Sequence, residues 1–466
     1  MANVVFVFHD FWGCKRGNEY IYPAFHHGLI EELRSNGNNV YCYVKPITAR
    51  AYDFSGKIKE ELLNELKELK PDLFIIMNNR FWDISDYFDC PIICYSVDSP
   101  SLLSNLELLK KKKDRFKFVA QQSIEAELIE SIIGANKKNI EYILSTTPIQ
   151  NTNQAKDKNI SFLGSQWLWE GLPDLVDYMK KNPTREDSIV AKEIHKRLIN
   201  IEAKTYNEII EELYNEHPEY PAPKLKVRDQ DLYICRMSGI RRARYLAKLA
   251  DLGLEIYGNG WGTACMAYFP ELALNWISTR VITAAETESL FNSSKICFQL
   301  NHIQAKTGFS WKIPDIMASG GCLVTNSTPD FKKLFGNNIP TFESEAEARE
   351  LCEKLLNNPN MREDIVLYSN QKVEEMFRPR RAIEQLENLS SVKLIKSNTT
   401  RGEFKIQMYK LEECAKPTSN IIVNLKKEIT SFNQFPNISI KNLSWNKKFY
   451  YAISRYFFKC FEKKGE

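Results

Sequence analysis

The stretch Thr307–Thr325 reads TGFSWKIPDIMASGGCLVT. It opens on the loop dipeptide Gly308-Phe309 and continues as a short helical pattern, KIPDIMA, over Lys312–Ala318. Gly320-Gly321 then leads into CLVTN (322–326), a short run of the kind a buried strand presents. KICFQL (295–300) reads the same way. Strand, loop, helix and strand in that order are the repeating unit of a parallel α/β sheet.

The same alternation extends to both sides. VVFVF (4–8), NVYCYV (39–44), DLFIIM (72–77), PIICYSV (91–97), FKFVA (116–120) and the region 141–145 read as strands, with helical patterns at Tyr20–Arg34 and Glu60–Leu69. TTPIQNTNQAKDK (146–158) is polar and rich in turn formers, a linker by composition, and NISFLGS (159–165) starts a new strand. Residues 166–230 carry charged helical patterns ended by Pro218, Pro221 and Pro223, so a helical insertion is expected there. Alternation resumes with a helix at Ser238–Leu252, the strand LEIYG (254–258), and helices at Thr287–Ser294, Ala346–Leu356 and Met361–Met376. The expected class is α/β, with two wound domains at 1–150 and 159–390 and a C-terminal tail at 391–466.

Bulk composition bounds the partners. In 466 residues, 63 basic and 59 acidic side chains leave a net charge of +4, which gives no global case for nucleic-acid binding. The 11 cysteines are scattered, with no CxxC pairs to suggest zinc, so reduced thiols in a cytoplasmic protein are expected. MANVVFVFHDF lacks the basic flank and long apolar core of a signal peptide, and no window approaches the roughly 18 apolar residues of a membrane helix.

Ligands of parallel sheets sit beyond the carboxyl ends of the strands. In the first half those ends carry His9-Asp10, Asn78-Asn79-Arg80, Asp98-Ser99-Pro100 and Gln121-Gln122-Ser123. In the second half the opening stretch places a helix N-terminus at that rim, with Pro314 in its first turn, where a missing N–H costs little. Free N–H groups and the positive dipole end suit a phosphate, and Lys306 and Lys312 add cations. Asp315, one turn further, is placed to accept hydrogen bonds from ribose hydroxyls. The Gly pair is expected to turn the chain tightly into the next strand. In YGNGW (257–261), Gly258 and Gly260 permit close approach of a ligand to backbone. Diphosphate plus ribose is a nucleotide; the alternative is an ordinary loop with surface lysines.

Taken in order, FLGS (with Gly164), SGIRRARYLAKLADLGLEIYGNGW, LFNSSKICFQLN, GFSWKIPDIMASGGCLVTN and DFKKLF resemble the C-terminal domain of two-domain glycosyltransferases of the GT-B fold, most of all the CgeB-like spore-maturation group. The resemblance covers about residues 159–390, with RPRRAIEQL at its end, and is looser over 1–150. It implies two Rossmann-like domains facing a cleft, a nucleotide-sugar donor and no resident cofactor or metal. Members commonly show Arg-x-x-Glu where this chain has Lys312 and Asp315. The commoner retaining enzymes carry two glutamates where Thr307 and Asp315 stand, so an inverting reaction is the expectation here.

Such a transfer needs cations for the leaving diphosphate and a base for the acceptor hydroxyl. Lys306 and Lys312 are the candidates for the diphosphate, with Arg241 or Arg242, and His302 for a further donor contact. Asp10, Asp98 and His9, with Glu19, are the candidates for the base. An Asp at a strand end also caps turns, and a lone surface cation is usually solvated. Phe11, Trp12, Phe81 and Trp82 would stack on an acceptor sugar, or pack as core. The segment SWNKKFYYAISRYFFKCFEKKGE (444–466) mixes basic and aromatic residues. It suits an anionic membrane at the inner face of the plasma membrane, or a terminal helix packed on the first domain. The expected partners are a nucleotide sugar and a glycan, lipid-linked or protein acceptor. A nucleotide-sugar 2-epimerase of the same fold and a non-catalytic sugar-binding scaffold are the competing readings.

Overall fold

The computed structural model describes residues 1–9, 15–16, 19–20, 22, 24–45, 60–78, 82–100, 103, 106–166, 212, 215–216, 238–239, 241–258, 261, 272, 274–277, 279, 281–396 and 400–408. The chain divides into two compact units. The first comprises Met1–Gln150, Ile282–Glu288 and the described residues from Asn370 to Met408, and the second Asn151–Val281 and Ser289–Ser369.

The first unit begins with β1 (Asn3–His9), a short antiparallel pair of β2 (Lys15–Arg16) and β3 (Glu19–Tyr20), and β4 (Asn39–Lys45). It continues with β5 (Leu73–Met77), β6 (Ile92–Tyr95), β7 (Phe116–Ala120) and β8 (Ile140–Tyr142). The expected Tyr20 helix start moves to Ala24, because Glu19–Tyr20 pairs with Lys15–Arg16. Every residue of β5 and β6 is buried, as in central strands covered on both faces. Val5, Val7, Phe74, Ile76, Cys94 and Phe118 share one core with Leu62 and Leu66 of the helix Glu60–Leu69. Each such side chain stabilises by about 1.5–3 kcal/mol when fully buried.

The second unit holds β9 (Lys158–Leu163), β10 (Leu254–Tyr257), β11 (Trp276–Ile277), β12 (Ser294–Gln299), β13 (Cys322–Asn326) and β14 (Thr341–Phe342). They form one parallel sheet in the order β11-β10-β9-β12-β13-β14. Renumbered within the unit this is 3-2-1-4-5-6, the Rossmann order, whose reversal lies between β9 and β12.

In the tail, β15 (Phe404–Met408) pairs in parallel with β4, Phe404 beside Val40. The first sheet is thereby β15-β4-β1-β5-β6-β7-β8. The expected α/β class with two wound parallel sheets is what the structure has.

Residues 370–390, read from sequence with the second domain, lie in the first unit. The helix Pro379–Ser390 packs on the helix Ala24–Ser35, and a methyl on Gly28 would meet Pro379 at 3.0 Å and Pro148 at 3.2 Å. Phe377 O accepts from Thr147 N, and Arg378 Nη1 donates to Ile149 O at 2.7 Å. The six described cysteines are free thiols. No helix among the described residues is long and apolar enough to cross a membrane.

Candidate functional site

The reversal between β9 and β12 is where a sheet of this order leaves a crevice for a ligand. β9 ends in Gly164-Ser165, and β12 runs out through Leu300 into Asn301-His302. Two arginines of the helical residues 241–249 reach these ends. Arg241 Nη2 donates to Asn301 O at 2.6 Å, and Arg242 Nη1 donates to Ser165 O at 2.9 Å. Both are buried, so neither is the solvated surface charge that a lone arginine in sequence suggests. Arg242 also lies over the Phe162 ring, 5.8 Å from its centroid.

Arg241 faces a cavity of about 280 Å³, lined also by Asn301, His302, Lys306, Asn326, Lys332 and Glu343. Its Nε has no hydrogen-bond partner, and no carboxylate among the described residues pairs with it. Burial lowers its pKa to about 10, so it stays charged at neutral pH. A buried guanidinium without an acid partner carries a desolvation cost that an anionic ligand would relieve.

His302 is held by its own loop: Nδ1 accepts from Gln304 N at 3.1 Å, which leaves the proton on Nε2. Burial, then Arg242 and Arg241, push its pKa well below the ordinary value. It is a neutral donor, unable to serve as a base of ordinary strength.

Lys312 begins the helix Lys312–Ala318, and its ammonium stands over the Trp311 ring at 4.6 Å. Burial and then Arg242 lower its pKa to about 8, while Asp315 opposes the shift. Asp315 is 1% exposed, in the same helix. Neither Lys312 nor Asp315 lines the cavity; they form a neighbouring charged group with Arg242.

Gly258 has φ +137°, and a methyl there would lie 2.3 Å from Gly164 O. Gly164 O also accepts from Trp261 Nε1 at 2.7 Å, so the two strand ends are locked together beside Ser165. Gly320 and Gly321 are not a left-handed turn, since neither is among the positive-φ glycines. A methyl on Gly321 would lie 2.3 Å from Cys297 Sγ and 2.6 Å from Phe291 O; the residue is small to let β12 and β13 pack.

In the first unit, Asp98 Oδ2 accepts from Asn78 Nδ2 at 2.6 Å, and Asn78 Oδ1 accepts from Val97 N and Asp98 N. His9 closes β1, its side chain lying outside the described residues. Asp10, Phe11, Trp12, Phe81 and Gly260, the side chains of Glu19 and Trp82, nearly all of the insertion 166–230, and the segment 444–466 lie outside the described residues.

The structure thus gathers Arg241, His302 and Lys306 at one cavity, and Arg242, Lys312 and Asp315 beside it. Sequence reading missed Asn301, Asn326, Lys332 and Ser165. Asn301 follows a strand at the reversal point, a signal that was available once the strand order was known. No group of three or more potential metal ligands occurs among the described residues.

No curated protein matches the chain. Among solved structures, it is similar to sucrose-phosphate synthase from Thermosynechococcus elongatus, with 9% identity, a TM-score of 0.49, and coverage of 83% of this chain and 98% of that one. It is also similar to HepE from Anabaena, solved in complex with UDP and glucose, at 10% identity and a TM-score of 0.48, covering 84% of this chain and 100% of that one. Residues 241–388, which include every residue lining the cavity, match the model of a family described as glycosyl transferase-like.

Proposed function

We propose that the protein is a glycosyltransferase that takes a sugar from a nucleotide-diphosphate donor held in the second unit. The observation that carries this reading is Arg241. It is a buried cation without an acid partner among the described residues, facing a cavity beside the reversal of a Rossmann-order sheet, inside the glycosyl transferase-like segment. Arg241 and Lys306 meet the diphosphate, Lys312 and Arg242 add positive potential, and Asp315 takes the ribose. His302 donates its Nε2 proton to a donor oxygen. Gly164, Gly258 and Gly260 let backbone approach the ligand.

In the reaction the acceptor oxygen forms a bond to the anomeric carbon. The bond from that carbon to the diphosphate oxygen breaks, and the nucleoside diphosphate leaves with the electron pair. The acceptor proton passes to a base of the first unit, for which Asp98, Asp10 and His9 are the candidates. The cations stabilise the leaving group electrostatically in place of a metal, and a single in-line displacement by the acceptor oxygen inverts the anomeric carbon. The acceptor is a cell-surface glycan, a lipid-linked glycan or a protein, met in the cytoplasm at the inner face of the membrane. The finer kinship is with the spore-maturation group.

The test is calorimetric binding of UDP, GDP, ADP, CMP and dTDP, with and without EDTA, followed by incubation with the matching nucleotide sugar. Selective binding unaffected by EDTA, with sugar transfer or slow donor hydrolysis, is expected. Binding to none of them would overturn the donor site. A stereoisomer of the donor sugar formed without acceptor would identify an epimerase instead.

A further inference from the structure

Asn301 joins four segments of the second unit through one residue. Its N–H donates to Asn326 Oδ1 at 2.8 Å. Its side-chain Nδ2 donates to Asn326 O at 3.1 Å and meets Thr325 Oγ1 at 3.4 Å. Its Oδ1 accepts from Ser310 N at 2.8 Å, and its carbonyl accepts from Arg241 Nη2 at 2.6 Å. It is 2% exposed.

These bonds set the cavity. The bond to Ser310 closes the loop 302–311, which carries His302 and Lys306 and delivers the chain to Lys312. The bonds to Thr325 and Asn326 fix that loop against the end of β13. The carbonyl holds the guanidinium of Arg241, whose Nε is otherwise unpartnered, at a set angle to the cavity. A primary amide offers a donor and an acceptor from one planar group whatever the pH. A carboxylate keeps the acceptor for Ser310 but loses the donor toward Asn326, and an aliphatic side chain loses both.

We infer that Asn301 is the positioning residue of the anion site: it touches no reacting atom but fixes Arg241 and the loop 302–311 relative to each other. The inference rests on the reading of the cavity as a diphosphate site.

The experiment measures the affinity of the full-length protein for inorganic pyrophosphate and for UDP, GDP and ADP by calorimetry. It compares wild type, Asn301→Asp, Arg241→Gln and the double variant. Asn301→Asp is expected to weaken binding at least tenfold with a small change in melting temperature. In the Arg241→Gln background the loss should be clearly smaller, because part of the effect passes through that guanidinium and only the rest through the loop that carries His302 and Lys306. With a transferable donor, KM should rise while kcat changes little. Equal losses in both backgrounds, or affinity within twofold of wild type, would overturn the positioning role. Failure of wild type to bind any of the four probes would instead overturn the diphosphate site, and the inference with it. Should Asn301→Asp not fold, Thr325→Val, which removes only one contact of the Asn301 amide, takes its place. A two- to fivefold loss that shrinks in the Arg241→Gln background supports the role, and no loss overturns it.

Discussion

Asn78 and Asp98 clasp each other at the rim of the first sheet: Nδ2 of one lies 2.6 Å from Oδ2 of the other. Asn78 adopts φ +53°, a left-handed conformation that asparagine tolerates better than most residues. Its side chain thus fixes the loop after β6 and aims the Asp98 carboxylate.

That pair separates structure from catalysis at Asp98. Asp98→Asn keeps an oxygen for Asn78 and removes the charge. The expected outcome is a melting temperature within a few degrees of wild type, with turnover lower by about 10²–10⁴ if Asp98 is the base. Unchanged turnover in Asp98→Asn, measured at saturating donor, would move the base to Asp10 or His9.

Lys312 gives the donor site a pH limb. Its pKa of about 8 reflects burial first and Arg242 second. Below that pH the ammonium is charged and attracts a diphosphate; above it the free protein must take up a proton to bind. Nucleotide affinity should fall as pH rises through about 8, by less than tenfold per unit because Lys312 acts from beside the cavity. Lys312→Arg should flatten the limb, since a guanidinium stays protonated. Calorimetry from pH 6.5 to 9.5 on both proteins measures this.

In the first unit two buried groups titrate with opposite sign. His26 stands among Phe6, Phe8 and Phe25, and burial pushes its pKa to about 3. Between about 6.5 and 3 the unfolded chain takes a proton that the folded one refuses, so this contribution is present above pH 6.5 and lost as pH falls. Glu125 caps its helix by accepting from Gln121 N and Gln122 N, and burial raises its pKa to about 7. Between about 4.5 and 7 the folded state holds a proton that the unfolded one has released, so this contribution is lost as pH rises. His26→Phe should leave a stability that declines from pH 5 to 7, and Glu125→Gln one that climbs over the same range. The slope approaches about 1.4 kcal/mol per pH unit in each case. Thermal unfolding against pH reads both.

Gly258→Ala should be costly for the second unit. The methyl collides with Gly164 O at 2.3 Å, and φ +137° is strained for any side chain. A loss of about 3 kcal/mol, or a drop of roughly 6–12 °C in melting temperature, is expected by scanning calorimetry.

Much of this architecture is legible in the sequence. KICFQL and CLVTN proved to be neighbouring parallel strands, because a continuous apolar run is what a doubly covered strand requires. FKIQM (404–408) alternates apolar and polar residues, the pattern of an edge strand, yet it stands alone near the start of a weakly patterned tail. Nothing local tells such a strand which sheet to join. The charged residues of the site were readable, and were grouped at one diphosphate; their division into a cavity group with Arg241 and a neighbouring group with Arg242 was not. Whether Arg241 or Arg242 faces the cavity depends on a helix rotation of about 100° between neighbours, which the packing of those residues on the sheet settles and composition does not. Gly320-Gly321 looked like a turn and is a packing contact, because glycine serves both needs.

β15 has a consequence for how the chain is made. The strand that completes the first sheet lies some 400 residues after β1 in the sequence, and Gly402 fits against Asn38 where a methyl would lie 1.9 Å from its carbonyl oxygen. A ribosome delivers the second unit's strands before it delivers that edge. During synthesis β4 therefore waits with an open backbone ladder, the kind of edge that invites pairing with another chain. Once residues 400–408 emerge, β15 covers the β4 ladder and becomes the edge in its place, and premature termination before them would leave β4 exposed along its whole length.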